Sequence, residues 1–330
     1  MNAVPRKVID ALHARPDDDS PLVAFADELT QAGDVRGELA VLVAQRKLQP
    51  MTRFLLANAG KLFGAAEPFV HDGTVDELVW APGFVRHATL VGSTEVPTVE
   101  VIATLLASPA GALLRSVHLS EWDELDEPDE VLAALARHQA PTLLDTVVID
   151  GVVDDLSALW PAAPAARHLS LRGLARDVKA FPSSRLEALS WGDTWLSTTA
   201  AKALRKLPWP HLERLQLGAL ENEDGEVDHA GLLSFILEAK APQLAHLCLV
   251  DWTLDEDTLA AVLESERCAK LETLDLGSCF IDAEAMSVLF DLEPNFGDLK
   301  VCLPDELADE LGDYQASVWP GLVPARTRRR

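Results

Sequence analysis

The chain has 330 residues, 48% of them hydrophobic, and a formal net charge of −25. That hydrophobic content excludes wholesale disorder, and the length exceeds what one compact core usually supports, so the sequence predicts two domains or an elongated repeat array. The charge repels polyphosphates and opposes general nucleic-acid binding, while apolar runs such as 99–107 and 232–237 fall far short of the roughly 20 residues a membrane span needs.

The first residues, 1–16, form an amphipathic stretch with Arg6, Lys7 and Arg15. They lack the central apolar block and small-residue cleavage site of a secretory signal, so a soluble, cytoplasmic protein with no membrane partner is expected. Two further helical stretches follow, around Phe25-Ala26-Asp27-Glu28-Leu29 and Gly33-Asp34-Val35-Arg36-Gly37-Glu38-Leu39. A glycine suited to ending a helix joins them. Arg36 is expected to pair with Asp27 or Asp34 and pin the corner between two helices, and a ligand contact through Arg36 is the alternative.

From residue 85 onward the pattern Leu-x-x-Leu-x-Leu recurs. Clear copies are Leu114, Val117, Leu119; Leu144, Val147, Ile149; Leu186, Leu189, Trp191; Leu212, Leu215, Leu217; Leu244, Leu247, Leu249; and Leu271, Leu274, Leu276. Weaker copies are Val85, Ala88, Leu90; Ala166, Leu169, Leu171; and Phe296, Leu299, Val301. The intervals between these nine rungs are 29, 30, 22, 20, 26, 32, 27 and 25 residues. Between most of them the apolar period changes from two to about 3.6, as in 128–138, 227–239, 257–266 and 283–292, so each rung reads as strand, turn and helix. Asp255 and Asp282 stand where helix caps are needed. Pro161, Pro164 and Pro182 shorten the connectors of the 144 and 166 rungs. Burying three leucine-sized side chains yields roughly 5–9 kcal/mol, whereas ordering about 26 residues costs at least roughly 26 kcal/mol. A single rung therefore cannot fold alone, and stacking is required.

These segments resemble a leucine-rich-repeat protein of the ribonuclease-inhibitor-like class. The order Pro16-Asp17-Asp18-Asp19, Phe25 to Leu29 and Gly33 to Leu39 is similar to the short "repeat-companion" domain that precedes leucine-rich repeats in myxobacterial and planctomycete proteins. That resemblance covers roughly the first 48 residues. Members often carry Trp where this chain has Glu28. The resemblance implies an α/β fold: a leucine-rich-repeat solenoid, with a parallel concave sheet and convex helices, preceded by a small all-α domain. The expected organisation is a helical repeat-companion domain at 1–50, a connecting helix and cap at 51–84, an irregular array at 85–303, and a C-terminal cap helix with a basic tail at 304–330. Many leucine-rich repeats place Asn or Cys eight positions after the first Leu. Here those positions read Ser93, Trp122, Val152, Leu174, Thr194, Leu220, Trp252 and Cys279. No asparagine ladder is expected, and apolar packing is expected beneath several turns.

Chemistry-bearing motifs are sparse. There is no Gly-x-Ser-x-Gly, no phosphate-binding glycine loop and no His-Glu-x-x-His. Cys248, Cys268, Cys279 and Cys302 form no Cys-x-x-Cys pair and read as reduced, mostly buried thiols. A hydrolase or metal enzyme around His87 and His118, on neighbouring rungs, lacks a third ligand in the sequence. No enzyme, cofactor or metal is therefore expected. Residues between the leucines of each strand project to the concave side. Their signs are mixed, which suits a protein partner. The expected partner-binding residues are Arg115, His118, Arg167, His168, Glu187, Glu213, Arg214 and His246, with Trp195 as an exposed aromatic anchor. A sensor whose N-terminal helical domain carries the binding is the alternative. The terminal cluster Arg326, Arg328, Arg329 and Arg330 reads as a solvated tail.

Overall fold

The computed structural model describes residues 3–16, 18–92, 97–122, 128–137, 143–151, 153–155, 159–172, 175–177, 184–192, 204–218, 229–292, 299–304 and 322–324. The chain divides into two compact units, Met1–Ala166 and Arg167–Arg330.

In the first unit five helices come before any strand: α1 (Arg6–Ala14), α2 (Ser20–Gln31), α3 (Val35–Ala44), α4 (Leu48–Phe63) and α5 (Glu67–His71). Val8 and Leu12, four residues apart on one face of α1, are buried, as helical periodicity requires. Helix α2 ends at Gly33, whose φ of 69° lies in the left-handed region that glycine reaches without cost. Asp34 then caps α3, its carboxylate accepting the Arg36 N–H at 3.1 Å. The two helices approach so closely at Gly37 that a Cβ there would lie 2.3 Å from the Thr30 backbone nitrogen.

These helices lie on an antiparallel hairpin, β1 (Val75–Ala81) and β2 (Phe84–Val91). Val8, Leu12, Leu22, Phe25 and Leu29 share one apolar cluster with Ala81, Phe84, Leu113 and Leu143. Then come α6 (Thr98–Ala107), β3 (Ser116–Trp122), α7 (Pro128–Arg137), β4 (Thr146–Gly151), β5 (Val153–Asp155) and α8 (Leu159–Ala162). Strands β2, β3 and β4 pair in parallel.

The second unit holds β6 (His168–Arg172), β7 (Ala175–Asp177), β8 (Ala188–Gly192), β9 (Arg214–Gly218), α9 (His229–Glu238), β10 (His246–Leu254), α10 (Glu256–Leu263), β11 (Thr273–Ile281), α11 (Ala283–Leu292), β12 (Lys300–Leu303) and β13 (Leu322–Pro324). Its sheet runs β6-β8-β9-β10-β11-β12-β13, and every neighbouring pair is parallel. Asp255 and Asp282 cap α10 and α11 where the spacing places them, accepting the Thr258 and Ala285 N–H groups at 2.8 and 2.7 Å.

Every member of the eight triplets from Val85, Ala88, Leu90 to Leu271, Leu274, Leu276 is buried. Paired strands hold them in one frame: Ala88 lies beside Val117 and Val117 beside Val147 in the first unit, while Leu169, Leu189, Leu215, Leu247 and Leu274 align in the second. The ninth expected rung is corrected. Val301 lies beside Leu274, so Val301 and buried Leu303 occupy the places the repeat reading gave to Leu299 and Val301. Both Leu299 and Val301 are apolar and buried, so hydrophobicity alone could not choose between the two frames. Strands β1 and β13 were not anticipated. Each unit is a mixed α/β arrangement with mainly parallel strands, compatible with a repeat solenoid. No helix among the described residues is long and apolar enough to cross a membrane.

Candidate functional site

Alternation along each strand sends the leucines into the core and leaves the intervening residues on the opposite, open face. In the first unit, the two side chains expected on that face to meet a partner, Arg115 and His118, are paired within the fold. Arg115, expected to meet a partner, is only 5% exposed. Its guanidinium donates to the Asp145 carboxylate, with Nε at 3.1 Å from Oδ2, and to the carbonyl of Pro16. Thr146 Oγ1 holds the other Asp145 oxygen at 2.9 Å. A cation so enclosed has no face left for a partner, and Arg115 leaves the expected set.

His118 Nε2 stands 2.7 Å from Asp150 Oδ2. His87 Nδ1 lies 2.8 Å from Ser116 Oγ and its Nε2 3.3 Å from Thr89 Oγ1. Burial holds the His87 imidazole below its usual value, opposed by the charge of Glu77 and reinforced by that of His118. Among the described residues no group of three or more His, Cys, Asp or Glu is arranged to hold a metal ion. Arg36 is spent on structure too. Its Nε and Nη2 donate to the two Asp34 oxygens at 3.0 and 2.7 Å, it is 1% exposed, and its guanidinium carbon lies 5.2 Å from the Phe84 ring centroid.

The open face of the second unit differs. Glu187 gathers two neighbours, Arg167 Nη1 at 3.2 Å and His168 Nε2 at 3.8 Å. One strand further, Glu213 and Arg214 are exposed and His246 is half-buried. None of these three has a side-chain hydrogen bond or ion pair among the described residues. Register sets them in a row: Arg214 beside His246, His246 beside Thr273, Thr273 beside Lys300. Trp195 lies outside the described residues, as does the side chain of Trp122. Trp191 and Trp252 are fully buried, in keeping with packing.

Two residues escaped the sequence reading. Asp150 follows Val148 by two residues and so shares the open face with its neighbour His118, a relation that only strand register reveals. Phe280 is 68% exposed. The β10–β11 register shifts between Cys248 and Val250 and again before Thr253, which turns Phe280 outward beside Thr253. Elsewhere, a cavity of about 560 Å³ is lined by Leu237, Lys240, Ala241, Pro242, Glu266, Arg267 and Lys270. Its Arg267 donates to the carbonyls of Ala239 and Ala241, closing the end of α9, where a cation complements the helix dipole.

Within each unit the fold is a mixed α/β arrangement of mainly parallel strands and helices, compatible with a repeat solenoid. No protein-family model matches the chain, and no curated protein does. Among solved structures, the fold is similar to that of a Bacteroides fragilis protein determined by a structural genomics consortium, with a TM-score of 0.51 and 18% identity over 67% of this chain and 68% of that one. At that identity the likeness concerns the fold alone.

Proposed function

We propose that the chain is a leucine-rich-repeat protein with an N-terminal repeat-companion segment, acting as a non-catalytic scaffold that binds a protein partner on the open, concave face of its second unit. The rung frame supports the repeat class: eight buried triplets recur at 20–32 residue intervals, each on or leading into a strand. The observation that carries the function is the contrast between the two faces. In the first unit Arg115 and His118 are matched to Asp145 and Asp150. In the second, Glu213, Arg214 and His246 are left without side-chain partners among the described residues. Polar groups held in fixed register but unmatched within the fold are suited to matching groups on another molecule.

Affinity capture of the full chain from native lysate, followed by mass spectrometry, tests this. Arg214→Glu with His246→Glu is expected to abolish a specific association that the unmodified chain shows. Association unchanged by both substitutions would contradict the reading.

The N-terminal helices also offer an apolar surface. Leu48 and Leu56 of α4 are 71% and 64% exposed, and Val41 of α3 is 45% exposed. An N-terminal binding element would use these. Because α1 and α2 share a core with Phe84 and Leu113, deleting 1–50 would strip that core. Leu48→Glu with Leu56→Glu is the cleaner discriminator.

A further inference from the structure

Four consecutive strands, β9 to β12, carry Arg214, His246, Thr273 and Lys300 in one register row. Arg214 and Lys300 are exposed and make no ion pair among the described residues. No carboxylate stands in the row, although the chain has 53 acidic residues against 28 Lys and Arg. Arg214 and Lys300, without an ion pair among the described residues and with the His246 imidazole beside Arg214, offer two cationic side chains to negative charge. Inner strands have no free edge for strand addition, so recognition here is through side chains.

We propose that this row clamps an extended acidic segment of the partner, with two carboxylate side chains four residues apart. The inference rests on the reading that this face binds a protein. Neighbouring strands lie about 4.8 Å apart, so Arg214 to Lys300 spans about 14 Å. A carboxylate bridging Arg214 and His246 sits about 2.4 Å along that line, leaving about 12 Å to Lys300. An extended chain advances about 3.3 Å per residue and repeats its faces every second residue, so its i and i+4 side chains lie about 13 Å apart. The intervening i+2 side chain falls over Thr273, whose hydroxyl can donate or accept. Each Arg or Lys to carboxylate contact is charge-assisted and among the stronger hydrogen bonds available.

The nearby acids fit this arrangement. Glu213 and Glu272 are exposed and each precedes the row by one residue, so they repel an acidic segment that strays toward the strand entrances. Asp275 lies two residues beyond Thr273 on the same face, and its Oδ1 accepts the Gly277 N–H at 2.9 Å.

Selection of a phage-displayed random 12-residue peptide library on the immobilised full chain tests the inference, with Arg214→Glu/Lys300→Glu as the paired target. Both residues are exposed, and matching circular dichroism melts show that the variant folds. The expected result is enrichment of Asp or Glu at i and i+4, with binding to the variant reduced at least about tenfold, a loss of about 1.4 kcal/mol. Enriched sequences without the spaced acids that still lose binding to the variant overturn the acidic-segment inference and leave the open face as the partner surface. Enriched sequences that bind both targets equally overturn it as well. Concentration-dependent dimerisation abolished by Arg214→Glu would assign the face to a second copy of the chain and overturn it too.

Discussion

Trp252 and Cys279 perform one task a rung apart. The indole Nε1 of Trp252 donates to the Leu217 carbonyl at 3.1 Å, and the thiol of Cys279 donates to the Leu249 carbonyl at 3.3 Å. Leu217 and Leu249 are register partners on β9 and β10. Each side chain reaches back to donate to a carbonyl of the preceding rung, a hydrogen bond worth about 0.5–1.5 kcal/mol net. Cys279→Val keeps the volume and removes the donor, and is expected to cost about 1 kcal/mol or more in urea denaturation. Cys279→Asn restores a donor and is expected to cost less than Cys279→Val.

The Arg36 guanidinium is buried against Phe84 with Asp34 as its counter-charge. Removing one partner of a buried pair leaves an uncompensated charge and typically costs about 3–5 kcal/mol. Asp34→Ala also removes the α3 cap, so chemical denaturation should show a loss at the upper end of that range. The loss should centre on the first unit.

Arg115, just before β3, and Arg214, the first residue of β9, have opposite duties. Arg115→Ala strands buried Asp145 and is expected to destabilise by about 3 kcal/mol. Arg214→Ala removes an exposed side chain and is expected to stay within about 0.5 kcal/mol of the parent. Thermal and urea melts of the two variants check the contrast, and equal losses would place Arg214 in the structural framework.

Burial raises the Cys268 thiol from 9.0 to about 11 and the Cys279 thiol to about 12. Below pH 9 both are protonated in the folded and unfolded chain alike. Above it the unfolded chain releases protons that the folded chain retains, so stability falls as pH rises from about 9 toward 12. Urea midpoints at pH 8 and pH 10 should show this decline, and it should be reduced in a Cys268→Ala/Cys279→Ala variant. At pH 8 a thiol reagent should leave both sulfurs unmodified in the native chain.

The strands and their inward faces were legible because a buried leucine set must recur with the stacking unit, and burial bears this out from Val85 to Leu276. Helix starts at Asp255 and Asp282 were legible for the same local reason. The last rung was not. Leu299, Val301 and Leu303 are all apolar, so only pairing with Leu274 fixes the frame. The candidate site was legible in outline, since strand alternation identifies which residues face outward. Whether such a residue is free depends on its neighbour in space. Asp145, just before β4, and Asp150, on it, meet Arg115 and His118 of the preceding rung, a match no spacing along the chain encodes. Phe280 was hidden by the register shift in β10 and β11.

Hydrogen–deuterium exchange on the complex captured from lysate shows whether the open face of the second unit or the N-terminal helices hold the partner. New protection is expected in peptides covering 214–218, 246–250, 273–276 and 300–303, with 35–63 unchanged. Protection confined to 35–63, with those four strands exchanging as in the free chain, would contradict binding on the open face.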